Sequence, residues 1–178
     1  MKNTKQATLL GAIICLFISY SVIAQDNPKL SDAEVASVAV VANQIDIAYA
    51  EIAQKKSKNT EVLKFAETMI SDHNAVIGQA AALVKKLGVT PKDNAVSQSL
   101  LSDAEKTKKM LNSKTIKSFD KAYVDNEVAY HKAVIAAIED LLIPETDNAE
   151  LKELLTNVVP ALKPHLGHAE MVQKQMSK

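Results

Sequence analysis

The sequence predicts an all-α fold, a bundle of long helices, and three observations carry that prediction. Glycine, proline and aromatic residues are scarce while alanine, lysine and leucine are plentiful, a composition that favours helix over sheet. Apolar residues recur at spacings of three and four, the period of a helix with one buried side. Capping residues bracket the stripes they form.

Helix one is expected from about Ser31 to Lys56, with Ser31 as cap and Glu34 three residues on, a capping-box pattern. Its apolar stripe is Val35, Val38, Ala42, Ile45, Tyr49, Ile52 and Ala53. Asn59 or Thr60 restarts the chain into helix two, whose stripe runs from Val62 through Phe65, Met69 and Ile77 to Leu87 and ends at Gly88. The short break between them implies an antiparallel hairpin. Thr90-Pro91 interrupts the pattern, and a shorter helix from about Ser97 to Leu111 can serve as a crossover; roughly fifteen helical residues cover ~22 Å. Helix four is expected from about Ser118 to Leu142, with Phe119, Tyr123, Tyr130, Val134, Ile138 and Leu141 inward and Pro144 as its stop. Asp147 then caps helix five, which carries Leu151, Leu154, Leu155, Val158, Leu162, Leu166, Ala169, Val172 and Met176. Pro160 and Pro164 fall inside this helix and should bend it, since each lacks an N–H and presses on the carbonyl four residues back.

The first residues read as a secretory leader: Lys2 and Lys5, an apolar run from Ala7 to about Tyr20, then Val22-Ile23-Ala24 before Gln25. Small side chains at the last and third-last positions fit cleavage after Ala24, and the run falls short of the ~20 residues of a membrane span. Residues 1–24 are therefore expected to be a signal peptide and 25–178 a single helical domain, with its core at about 31–176. The mature chain is expected in the periplasm or secreted, with no membrane span. Cys15 does not suit a lipoprotein site, because Ile13-Ile14 precedes it. Its loss leaves no cysteine for disulfides, thiolate metal sites or nucleophilic catalysis. The chain contains no arginine and no basic stripe; without the usual bidentate reader of guanine and phosphate, nucleic acid is not an expected partner.

Chemistry is concentrated in the histidines. His73 lies at the centre of the helix-two stripe and His165 at the centre of the last one. On helix four, Glu127 and His131 stand four apart on one side, with His131 toward the edge of the stripe. Asp46 sits beside Ala42, Tyr49 and Ala53 on helix one. The midpoints of the four long helices fall near residues 44, 73, 130 and 162. In full-length register, all five residues then come within ~5 Å of one level. Burying imidazoles and carboxylates costs several kcal/mol unless they satisfy one another or a cation. A metal is the simplest solution, and nitrogen with carboxylate oxygen suits zinc, copper, iron or manganese. Asp72 is expected to orient His73 from behind, and His168 to stand at the rim as an outer donor. The competing reading is a layer of core histidines hydrogen-bonded to carbonyls or to Tyr49, Tyr123 and Tyr130 in a structural or binding protein of the envelope. A ferritin-type oxidase ranks third, since the chain lacks Glu-x-x-His: residue 70 is Ile and residue 128 is Val. No hydrolase triad, phosphate loop or zincin motif is present in the sequence, so no catalytic residue is assigned.

The run NTEVLKFAETMISDH from Asn59 to His73, FDKAY from Phe119 to Tyr123 leading to His131, and VPALKPH from Val159 to His165 together resemble the bacterial exported domain of unknown function numbered 4142. The resemblance covers about Asp32 to Val172, and Phe-Ala-x-x-Met-x-x-Asp-His is its most specific part. It implies a ferritin-like four-helix bundle in the periplasm or outer envelope, with His73, His131 and His165 belonging to the family pattern. It implies no reaction. Two departures stand out: the pattern tends to an acid where this chain has Tyr130 and to a glutamate where it has Asp46.

Overall fold

A computed structural model describes residues 29–176; the expected leader, Met1–Ala24, lies outside the described residues. α1 (Asp32–Lys56) opens with the expected capping box: Glu34 N–H donates to Ser31 Oγ at 3.4 Å and Ser31 N–H to Glu34 Oε2 at 3.0 Å. α2 (Thr60–Leu87) is capped by Asn59 Oδ1, which accepts from Glu61 and Val62 N–H. It stops at Gly88 in the left-handed region, φ 64°, where a residue without Cβ lets the chain leave the helix.

Later boundaries depart from the reading of apolar spacing alone. α3 (Ala95–Ser113) starts two residues before Ser97, because Asn94 and Ser97 cap each other reciprocally. α4 (Ile116–Ala137) passes into a π-helical stretch (Ile138–Leu142) and the short α5 (Ile143–Glu145). Pro144 therefore does not end the helix at the residue before it. It occupies the first turn of α5, where a missing N–H costs little. Thr146 closes the segment through its N–H and Oγ1 to Leu142 O, at 3.1 and 2.6 Å. The cap of α6 (Ala149–Met176) is Asn148 and not Asp147: Asn148 Oδ1 accepts from Glu150 and Leu151 N–H, while Asp147 pairs with Lys29 at 2.5 Å. α6 remains helical through both Pro160 and Pro164.

Contacts at the helix ends define the topology. Lys92 N–H donates to Ala33 O at 2.9 Å and Asn94 Nδ2 to Glu34 O at 3.1 Å, so α3 begins beside the start of α1. Lys56 Nζ reaches Asn112 O at 2.5 Å and lies over the Phe119 ring, which brings the end of α3 and the start of α4 to the far end of α1. The Asp32 carboxylate accepts from the N–H groups of Asp147 and Asn148, returning the chain to the near end for α6. α1, α2, α4 and α6 thus form an up–down–down–up four-helix bundle with α3 as the crossover, lying along the outside of α1.

That position explains why α1 is buried around so much of its circumference: it packs against α2, α3 and α4. Among the described residues it is the one helix long and apolar enough to cross a membrane. Half of its apolar window is covered by the bundle and Asp46 is buried in its middle, so its apolar content serves the core. Two apolar clusters form the interior. One, around Phe65, Met69, Phe119 and Tyr123, occupies the α4-start end. The other, around Val38, Ile138, Leu142, Leu151 and Leu155, occupies the α6-start end.

Candidate metal centre

Four helices deliver one polar layer between those clusters. α1 supplies Asp46, α2 His73, α4 Glu127 and His131, and α6 His165, all buried. His131 is not at an edge, being only 1 % exposed. The inward face of α4 follows Tyr123, Val124, Glu127, Val128, His131 and Ile135, whereas Tyr130, Val134 and Leu141 are half-buried. A stripe drawn through apolar residues alone skips the buried glutamate and so rotates the face away from it.

Hydrogen bonds on the outer side of each ring fix where its free lone pair lies. Asn43 Nδ2 donates to Ala39 O at 2.8 Å, so Asn43 presents its oxygen to His73 Nδ1, 2.7 Å away, and that nitrogen must carry the proton. His131 Nδ1 lies 3.0 Å from the Glu127 carbonyl, which can only accept. His165 Nε2 lies 2.9 Å from Asp72 Oδ2, again an acceptor. With these protons assigned, the neutral rings turn the lone pairs of His73 Nε2, His131 Nε2 and His165 Nδ1 inward, and none of those three nitrogens has a hydrogen-bond partner. A ligating histidine is typically held in this way, one nitrogen donating to an outer acceptor and the other left free.

Asp46 completes the convergence. Its Oδ2 lies 3.3 Å from His73 Nε2 and 3.5 Å from His131 Nε2. Donors bonded at ~2.0 Å around a tetrahedral ion are about 3.3 Å apart, so these spacings match a shared cation. One ring nitrogen each from His73, His131 and His165 come within 4.8 Å of one another, and so do donor atoms of Asp46, Glu127 and His131. Glu127 Oε2 is buried without a hydrogen bond, 3.7 Å from His131 Nδ1, and is a further oxygen donor on that side.

Left to themselves, these groups are mostly acceptors facing acceptors. Burial pushes the Asp46 carboxyl up to about 7, and burial followed by the nearby Asp46 holds Glu127 well above the carboxylate range. Burial, then His131 and His165, pulls His73 down to about 3. His131 falls to about 4, again by burial, against the upward pull of the Glu127 carbonyl. Asp46 and Glu127 can each bring one proton, fewer than the free atoms of the layer; a cation beside Asp46 Oδ2 would meet the free nitrogens of His73 and His131 together.

One outer residue differs from expectation: Asp72 orients His165 and not His73. His168 is half-buried at the rim of the layer, its ring edge-on to Phe65 with centroids 5.2 Å apart. Asn43 is the partner the sequence reading missed; it stands three residues before Asp46 and so on the same side of α1, the one signal available. Tyr130, where the family pattern tends to an acid, donates from its hydroxyl to Ala42 O at 2.8 Å and so supplies no ligand atom.

A cavity of about 470 Å³ reaches the layer at Asp46, His73 and His131 and continues to Leu142 and Leu151. Among known proteins, the family described as Domain of unknown function (DUF4142) matches residues 20–172. No curated protein and no solved structure matches the chain. The chain belongs to the DUF4142 family.

Proposed function

We propose that this DUF4142 protein is an exported, ferritin-like helical bundle of the periplasm or envelope that holds one divalent transition metal ion through His73 Nε2, His131 Nε2, His165 Nδ1 and Asp46 Oδ2. The observation that carries the reading is the convergence of three unpartnered ring nitrogens, each with its opposite nitrogen held by an outer acceptor. Such a nitrogen-rich set with one carboxylate suits zinc, copper or iron. Glu127 stands as an alternative oxygen donor, and no reaction is assigned.

A specific observation supports a second reading, a proton-bridged polar layer without metal. Asp46 is raised to about 7 by burial and can donate its proton to one facing nitrogen. Elemental analysis of purified protein separates the two. One zinc, copper or iron per chain, lost in His73→Ala and His165→Ala, supports the metal centre. A metal-free protein that gains no thermal stability from any of these ions sinks it. Two metal atoms per chain would point to a ferritin-type oxidase.

A further inference from the structure

The two halves of the bundle are packed differently. On the α4-start side of the polar layer, Phe65, Met69, Phe119 and Tyr123 fill the space away from the cavity, which touches that cluster at Tyr49 and Ala104. On the other side, residues of the second cluster such as Val38, Ile138, Leu155 and Leu162 line it. Native interiors rarely hold voids larger than a water molecule. About 470 Å³ is the size of a small-molecule pocket, which spans ~300–1,000 Å³.

Shape and polarity narrow the occupant. From the Asp46 level the lining extends to Ala36 on α1, and from Leu162 to Leu151 on α6, a length of about 15 Å at ~1.5 Å per residue. Over that length the walls are aliphatic apart from Asn43 and Tyr130, whose polar groups are already bonded to Ala39 O and His73 and to Ala42 O. Asp46, His73 and His131 form the layer at one end, and the atoms without hydrogen bonds there include both Asp46 oxygens and the Nε2 of each of these histidines. Asp103, Thr107 and Asn126 also border the cavity near this level, and the exposed lining residues Asp103, Ala129 and Ala133 mark where it meets solvent. A peptide or sugar would leave polar groups unpaired along the aliphatic walls. A single alkyl chain with one polar end would not.

We propose that this hollow half binds a free medium-chain monocarboxylate, its tail between Ile77, Ala80, Val134, Ile138 and Leu155 and its carboxylate on the cavity side of the metal ion. The inference rests on the metal reading above, because the bare layer turns ring lone pairs toward the cavity and offers an anionic head no cation. With a cation in place, the three histidines and Asp46 supply four ligands, and the carboxylate would add as a fifth from the cavity side, an expansion that zinc sites undergo.

The test uses purified protein loaded with zinc and dialysed free of excess ion, with one zinc per chain established before any acid is added. Calorimetric titration with hexanoate, octanoate, decanoate and laurate is expected to give one site per chain. Affinity should rise about fourfold per methylene, the factor that corresponds to burying each CH₂. Zinc-free protein and methyl laurate should each bind at least tenfold more weakly than the zinc–laurate pair. Ala80→Trp should keep its zinc and lose laurate at least tenfold. The proposal is overturned if zinc-loaded protein binds none of the acids, if laurate binds equally without zinc, or if methyl laurate matches laurate. Undiminished laurate binding in a folded, zinc-loaded Ala80→Trp overturns it as well. Failure to load zinc is read separately, at the first step; it defeats the metal reading, and this inference falls with it.

Discussion

At the scale of single residues, the partners behind the histidines make sharper probes than the histidines themselves, since they shape the layer without being donors to it. Asp72 holds His165 and Asn43 holds His73, and losing such an outer partner typically costs 10–100-fold in metal affinity. Asp72→Asn and Asn43→Ala are each expected to fall in that range in competition against a chromophoric chelator, with helicity unchanged; unaltered affinity in both would mean the rings are not ligands. The pH dependence belongs to Asp46. Its carboxyl is raised to about 7, whereas His73 and His131 are lowered to about 3 and 4. A cation must displace the Asp46 proton below pH 7, so affinity should drop about tenfold per pH unit there. Affinity that stays constant from pH 7 to 6 would remove Asp46 from the set of ligands.

At the scale of elements, α3 shows what periodicity can and cannot convey. Its apolar positions are sparse, and by that sign it reads as a tether between hairpins. Yet Leu111 is fully buried and Ala104 nearly so, because α3 covers the outside of α1. Leu111→Ala is expected to cost about 2–5 kcal/mol in denaturant unfolding, and Leu101→Ala, on the exposed side at 44 %, within about 0.5 kcal/mol. Equal small effects would make α3 a loose strap. The long helices and the caps Ser31 and Gly88 were legible because local chemistry alone determines them, and Asn59 was one of two candidates for the cap of α2. What stayed hidden depended on partners distant in sequence or on polar burial: Asn148 as cap, the π-helical stretch after Ala137, and the true face of α4. The level shared by Asp46, His73, Glu127, His131 and His165 was legible from helix midpoints. Which nitrogen of each ring faces inward was not, because Asn43, Asp72 and the Glu127 carbonyl decide it.

At the scale of the whole molecule, the layer couples stability to pH in two opposing ways in metal-free protein. His73 and His131, depressed on folding, contribute stability that is full above the unfolded histidine pKa of ~6.5 and is lost as pH falls toward their folded values. Asp46 and Glu127, raised on folding, contribute stability that is full below the unfolded carboxyl range near 4 and is lost as pH rises toward about 7 and beyond. Between about pH 5 and 6 the two slopes offset each other, so the melting temperature should be nearly flat there and fall above pH 7. A steep drop from pH 7 to 5, the behaviour of buried histidines alone, would show that the carboxylates do not share their environment. The most direct measurement is anomalous diffraction at the absorption edge of the bound metal, on crystals of metal-loaded protein. One peak is predicted at the centre of the bundle, about 2.0–2.2 Å from His73 Nε2, His131 Nε2, His165 Nδ1 and Asp46 Oδ2. No peak at that position, in protein exposed to zinc, copper and iron in turn, would contradict the metal centre.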